Sequence, residues 1–207
     1  MKIGIVGGGK VGGALARLAS AAGHEVRVGR REHAQDGDGV AVGSMAEACT
    51  HGDLVVLAIP FLVCDDILPA LAPNLAGRIV IDATNPLQAD WSPLWLGEAN
   101  SAAQHIAALL PGARVVKAFN TVFADVMHRD GLARSGGARV TAFVASDDEE
   151  AAASVEAFAA SLGFAPIRVG ALAQARHLES LAHLNIAIAV GCGGGTDAAF
   201  VYDQRRA

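Results

Sequence analysis

The opening stretch "MKIGIVGGGKVGGALARLASAAG" joins a short apolar run, three spaced glycines and a helical apolar stripe. Few folds accommodate that combination. Residues 2–6 have the length and apolarity of a buried strand, while Val11, Ala14, Leu15, Leu18 and Ala22 recur on one helical face until Gly23 ends it. Between them Gly7, Gly9 and Gly12 form G-x-G-x-x-G. The first glycine makes a tight turn, the second lets backbone approach a pyrophosphate, and the third lets helix and strand pack closely. Free N–H groups at the helix start then face the phosphates. In a chain with 24 glycines a bare triplet carries little weight, but between this strand and this helix it predicts a dinucleotide-binding turn. Gly8, Lys10 and Val11 belong to the same turn, and Lys10 adds positive charge beside it.

The rest of the chain alternates in the same way. Strands are expected at 25–28, in "VAVGS", in "DLVVLAIP" (53–60), "RIVIDAT" (78–84), "RVVKAFN" (114–120), "RVTAFVAS" (139–146) and "APIRVG". The nearly continuous apolar runs at 53–60 and 78–84 suit central parallel strands covered on both faces. Ser44 and Glu47 form a capping box, the helix after residue 60 should end near Pro69, and Ser146 with Glu149 should start another that Gly163 closes. The predicted fold is therefore α/β: a Rossmann-type, doubly wound, mostly parallel sheet with a small C-terminal helical extension. Residues 1–170 form the NAD(P)-binding domain, and 171–207 an extension packed on the sheet or on a second subunit.

"HEVRVGRR" (24–31) then narrows the ligand. An NAD-selective protein places Asp or Glu at the end of the second strand, where it accepts from the ribose 2′-OH and would repel a 2′-phosphate. Here Gly29 removes bulk at that corner, and Arg30 and Arg31 offer fork-shaped donors to a phosphate. NADP(H) is the expected cofactor.

The reactive end should lie along the carboxyl ends of the strands, where the chain emerges at "AIPF", "ATNP" and "AFNTV". Ile59, Pro60, Phe61, Asn85, Ala118, Asn120 and Thr121 are the expected lining residues, with the asparagines oriented toward a carboxamide or carbonyl. No catalytic acid or base and no metal site is expected. The seven histidines lack ligand spacing, and Tyr202 is the one tyrosine. Arg176 and Glu179 stand as i,i+3 partners on a mostly apolar helix, and Asn185 farther along needs a partner if buried. Trp91 and Trp95 share a loop that they either anchor or offer for stacking, anchoring being the simpler reading. "GCGGGTDAAF" reads as a close approach to a ligand or subunit, or as a connector to a short helix capped by Thr196 or Asp197.

Composition removes other classes. A net charge of −5 speaks against a broad nucleic-acid-binding surface, and the three cysteines, Cys49, Cys64 and Cys192, form neither a disulfide framework nor a zinc site. Met1 leads straight into "KIGIV", which leaves no room for a signal peptide, and no apolar run suits a membrane span. A cytoplasmic protein without membrane or nucleic-acid partners is expected.

Several of these stretches together, "GIVGGGKVGGALARLASAAGHEVRVGRR", "DLVVLAIPF", "IVIDATNPL", "SAAQHIAALLPGARVVKAFNTV" and "ALAQARHLESLAHLNIAIA", carry a family resemblance over nearly the whole chain. The chain resembles the coenzyme F420-dependent NADP oxidoreductases, which are related to the cytoplasmic reductase domain of the STEAP metalloreductases. The resemblance implies a Rossmann domain in a homodimer, with NADP(H) exchanging a hydride with F420 or a flavin as small-molecule acceptor or donor. By the same resemblance Gly7 to Gly12 hold the pyrophosphate, Gly29, Arg30 and Arg31 surround the 2′-phosphate, and Pro60, Phe61, Asn120 and Thr121 line the route to the nicotinamide. Ring-to-ring hydride transfer needs stacking and orientation rather than a protein nucleophile. The alternatives are a reductase of a small carbonyl or imine and a non-catalytic NADP(H) sensor.

Overall fold

The computed structural model describes residues 1–30, 40–97 and 100–204. Strand and helix alternate through β1 (Lys2–Val6), α1 (Lys10–Ala21), β2 (Glu25–Arg30), β3 (Ala41–Ser44), α2 (Met45–His51) and β4 (Leu54–Leu57). They continue through α3 (Cys64–Leu75), β5 (Ile79–Asp82), α4 (Ala102–Leu109), β6 (Arg114–Lys117), β7 (Thr141–Ala145), α5 (Glu149–Leu162), β8 (Ala165–Gly170) and α6 (Ala175–Ile186). The eight strands form one sheet in the order β3-β2-β1-β4-β5-β6-β7-β8. The first six run parallel, in the arrangement of two joined mononucleotide-binding halves, and the order reverses between β1 and β4. β7 turns back antiparallel to β6, and β8 runs parallel to β7.

Both faces are covered, which explains the unbroken apolar runs. Leu54 and Val56 face a core shared with Leu15 and Leu18 of α1 and Phe158 of α5. Val55 and Leu57, pointing the other way, join Leu68 and Leu75 of α3 and Ile106 of α4. Each such fully buried leucine or isoleucine contributes about 1.5–3 kcal/mol.

Two local expectations change. α3 continues through Pro69 and Pro73 to Leu75. Each proline forfeits one backbone hydrogen bond, but Leu68, Leu71 and Leu75 are buried along the same helix, and their packing keeps it going. The cap of α5 is Asp148, whose carboxylate accepts from Ala151 N at 2.9 Å. Ser146 instead donates its hydroxyl to Val115 O at 2.8 Å and stitches β7 to β6.

The C-terminal part packs on the rest of the chain. α6 lies against α4 and passes into a turn of π-helix, Ala187–Gly191. Among the described residues after Gly191 there is no helix, so Thr196 and Asp197 cap none. The chain instead returns to the sheet, where Thr141 N donates to Phe200 O at 3.0 Å and Tyr202 N to Thr141 Oγ1 at 2.8 Å.

Candidate active site

The glycine turn is built by backbone proximity. Gly7 has φ 107°, and a side chain there would strike Ala58 O at 2.3 Å. At Gly12 a Cβ would meet Gly7 O at 2.0 Å, so this glycine brings α1 onto β1. At Gly8 it would meet Arg30 Nε at 2.1 Å, because the arginine lies across the turn. At Gly9, in contrast, a Cβ would have no atom within 4 Å beyond its own chain neighbours. The turn is thus closed at three glycines by the protein and open at the fourth.

Two cavities meet at this opening. The smaller, about 290 Å³, is bounded by Gly7, Gly8, Gly9 and Arg30 together with Met45, Val63 and Ile67. The larger, about 710 Å³, runs from Lys10 and Val11 past Ile59, Pro60 and Phe61 to the ends of β5 and β6. Ala58, Ile59 and Pro60 belong to both. The pair therefore forms one crevice along the carboxyl edge at the point where the strand order reverses.

At the far end of the larger cavity two asparagines hold each other. Asn85 Nδ2 donates to Asn120 O at 2.8 Å, and Asn120 Nδ2 donates to Asn85 Oδ1 at 2.9 Å and to Leu178 O at 3.0 Å. Phe119 is held at φ 65°, an uncommon conformation for a residue with a side chain, and it turns the chain so that Asn120 enters the wall. Thr84 Oγ1 and Asn120 Oδ1 are buried and have no partner within the protein. Unpaired buried acceptors are costly, and these two lie in residues that line the cavity. The opposite wall comes from α6 as Ala182, Asn185 and Ile186. Asn185 Nδ2 donates to Thr121 O at 3.2 Å, so its partner lies within the chain.

The crevice gathers most of the residues expected from sequence. Gly7, Gly8, Gly9 and Arg30 border the smaller cavity, and Lys10, Val11, Ile59, Pro60, Phe61, Asn85, Asn120 and Thr121 border the larger. Gly12, Gly29 and Ala118 do not border either. Ala118 is fully buried in the core. Gly29 clears room for α2: a side chain there would meet Met45 Cα at 2.6 Å and Ser44 O at 2.8 Å. That packing need replaces the idea that its small size makes space for a phosphate. Arg31 lies outside the described residues.

Trp91 and Trp95 are 51% and 77% exposed, so neither anchors its loop, and Trp91 stands on the rim of the larger cavity. Sequence reasoning did not single out Met45, Val63 or Ile67, apolar residues on helices and turns that carry no local sign of a site. Glu179 pairs with Lys117 at 3.0 Å, whereas Arg176 turns to His177.

The chemistry available is limited. Among the described residues lining the larger cavity the charged side chains are Lys10 and Asp125, and histidine, cysteine and tyrosine are absent. Burial pushes the Cys64 thiol, beside the cavity at the start of α3, up to about 12, and that of Cys49 to about 11, so both remain protonated at neutral pH. Among the described residues no cluster of three or more His, Cys, Asp or Glu side chains could hold a metal. No described helix is long and apolar enough to cross a membrane.

A glycine turn opening on a crevice at the sheet's reversal point, with an apolar ring-sized cavity beyond it, defines a Rossmann-type dinucleotide-dependent oxidoreductase. Comparison with known proteins narrows the class. The family model described as "NADP oxidoreductase coenzyme F420-dependent" matches residues 2–86. A crystal structure from Arthrobacter sp. FB24, provisionally assigned as an F420-dependent NADP reductase, is 30% identical over 99% of this chain and 100% of that one, with a TM-score of 0.86. The F420-dependent NADP reductase of Methanothermobacter thermautotrophicus is 29% identical over 90% of this chain and 88% of its own length. The rat metalloreductase STEAP3 is 31% identical over 87% of this chain, which spans only 36% of that larger protein. The chain belongs to the coenzyme F420-dependent NADP oxidoreductase family and is an NADP-dependent oxidoreductase.

Proposed function

We propose that this protein transfers a hydride between the nicotinamide of NADP(H) and a flat ring acceptor, a deazaflavin such as F420 or a flavin, stacked over it in the larger cavity. The observation that carries this reading is the character of that cavity. Its walls are mostly apolar, and histidine, tyrosine and cysteine are absent from its described lining. Ring-to-ring hydride transfer asks the protein chiefly for stacking and exclusion of water, and the proton that completes the reduced ring can come from solvent.

The residues divide the work along the crevice. Arg30 supports the 2′-phosphate, while Met45, Val63 and Ile67 offer an apolar bed for the adenine. The open face of Gly9 and the start of α1 receive the pyrophosphate, with Lys10 alongside. Thr84 and Asn120 border the far end of the cavity, where the nicotinamide carboxamide sits, and Phe61 and Pro60 form a flat apolar wall. Trp91 is placed to cover an acceptor ring entering from solvent. The scaffold serves hydride transfer in either direction.

The test is oxidation of NADPH, and separately of NADH, with F420, FMN, FAD and a panel of small carbonyls and imines as acceptors. Turnover with at least one ring acceptor and a clear preference for NADPH are expected. Turnover of the carbonyl panel alone would overturn the reading and direct attention to Asp125, the carboxylate on the cavity wall.

We also infer a homodimer formed through the C-terminal part. Leu184, Ile188 and Val190 are 51%, 46% and 58% exposed beside the cavity wall that α6 provides.

A further inference from the structure

Beneath the larger cavity lies a set of charges that hydride transfer does not use. Lys117 at the end of β6 and Asp82 at the end of β5 are fully buried, and Glu179 of α6 is 3% exposed. The Lys117 ammonium donates to Asp82 Oδ2 at 2.8 Å and to Thr84 O at 2.7 Å, and it lies 3.0 Å from Glu179 Oε1. Its three N–H groups therefore have three acceptors. Asp82 Oδ1 accepts from Thr84 N at 2.8 Å. The Glu179 carboxylate also accepts from Ala102 N at 3.0 Å and Ala103 N at 3.2 Å, the first two residues of α4. Burial works against the ammonium, but the pull of Asp82 and Glu179 outweighs it and holds the Lys117 pKa above the ordinary lysine value.

Three charges withdrawn from water are a poor route to stability, since apolar or neutral groups of similar shape commonly do as well. What this cluster does supply is geometry. One nitrogen ties together the ends of β5 and β6 and the middle of α6, while Glu179 adds the start of α4. The same segments continue directly into the cavity wall: Thr84 and Asn85 after β5, Asn120 after β6, and Ala182 and Asn185 one and two turns along α6. The link from Asn120 Nδ2 to Leu178 O, next to Glu179, runs in parallel.

We propose that Lys117, with Asp82 and Glu179, is a positioning group for the nicotinamide end of the site. It sets the spacing between the strand-end wall and the α6 wall. The inference rests on the reading that the nicotinamide occupies the larger cavity.

The experiment compares the wild type with the triple variant Lys117→Met, Asp82→Asn, Glu179→Gln, which removes every charge of the cluster together and strands none. Folding is followed by thermal melting, NADPH affinity by calorimetric titration, and the nicotinamide environment by the emission lifetime of bound NADPH. Affinity should stay within about threefold, because the phosphates bind at the other end of the crevice, while the lifetime falls toward that of free NADPH. Should the triple variant fail to fold, Glu179→Gln alone, isosteric and still leaving Lys117 paired with Asp82, is read in the same way. A folded variant with a wild-type lifetime would overturn the proposal. So would an unchanged lifetime accompanied by a shifted ratio of NADP+ to NADPH affinity, which would mark an electrostatic role. If binding to the wild type leaves the nicotinamide emission unaltered, the placement of the nicotinamide fails as well, and that pattern is distinct from the other two.

Discussion

Two glycines, Gly9 in the cofactor crevice and Gly29 outside it, make opposite demands and can be told apart by the same substitution. Gly9 adopts φ −74° and ψ −167°, which any residue tolerates, and nothing in the protein fills the position of its absent side chain. Gly29 is pressed against Met45 and Ser44. Gly9→Ala should therefore melt within a degree or two of the wild type yet bind NADPH at least about tenfold more weakly, since the methyl group enters the path of the pyrophosphate. Gly29→Ala should lose about 1–3 kcal/mol of stability from overpacking. Melting curves and NADPH titrations of the two variants check this, and unimpaired binding by Gly9→Ala would remove the pyrophosphate from that turn. The sequence made the glycine turn legible because the strand, the spaced glycines and the helix adjoin one another in it, although the atoms that press on Gly7 and Gly8 belong to Ala58 and Arg30. The purpose of Gly29 was not legible, because the atoms that demand it belong to Ser44 and Met45, where β3 passes into α2, well separated from it in sequence.

At the level of elements, what could be read depended on how far apart the deciding residues stand. The capping box at Ser44 and Glu47 is confined to one turn and forms as expected, with Ser44 N donating to Glu47 Oε2 at 2.7 Å. α3 outran its first proline because the leucines that hold it find their partners on other elements. The pairing of Glu179 was missed for the same reason. Arg176, its neighbour on the helix surface, is the visible partner in sequence, whereas Lys117 meets it only when β6 and α6 cross. The start of α5 gives a pH-dependent case. Arg114 Nε and Nη2 bind the Asp148 carboxylate at 2.6 and 2.7 Å, and with the cap bond from Ala151 they hold its pKa well below the usual carboxylate range. A carboxyl whose folded pKa is depressed contributes stability that is present above the unfolded value of about 3.9 and is lost as pH falls from there through the folded value. Asp148→Asn keeps the capping oxygen but loses the charge. Its melting temperature should lie below that of the wild type at neutral pH, and the gap should close progressively in acid below about pH 4. A gap that stays constant across that range would show that the ion pair does not contribute.

For the molecule as a whole, the sheet could be anticipated from alternation, and the crevice from the rule that ligands gather where strand order reverses. What periodicity could not supply is the outer limit of the core. Leu184 and Ile188 stand one helical turn apart on α6 and its continuation, both half exposed, with Val190 on the π-turn beside them. The opposite side of the same helix contributes Ala182 and Asn185, which are buried. A helix with apolar side chains on both its covered and its open side is ordinarily closed over by a second protein surface. If that surface is another copy of this chain, an isologous contact through α6 buries the stripe twice with one set of residues. It would also brace the cavity wall that Ala182, Asn185 and Ile186 provide. Light scattering coupled to gel filtration should then give twice the chain mass of 21.1 kDa for the wild type, and the monomer mass for Leu184→Glu with Ile188→Glu. Both charges would have to be desolvated in the contact, so dissociation should be complete at micromolar concentration. The double variant should still bind NADPH through the glycine turn and Arg30, which lie at the other end of the crevice. A wild type that runs as a monomer would overturn the dimer and leave the stripe to a different partner.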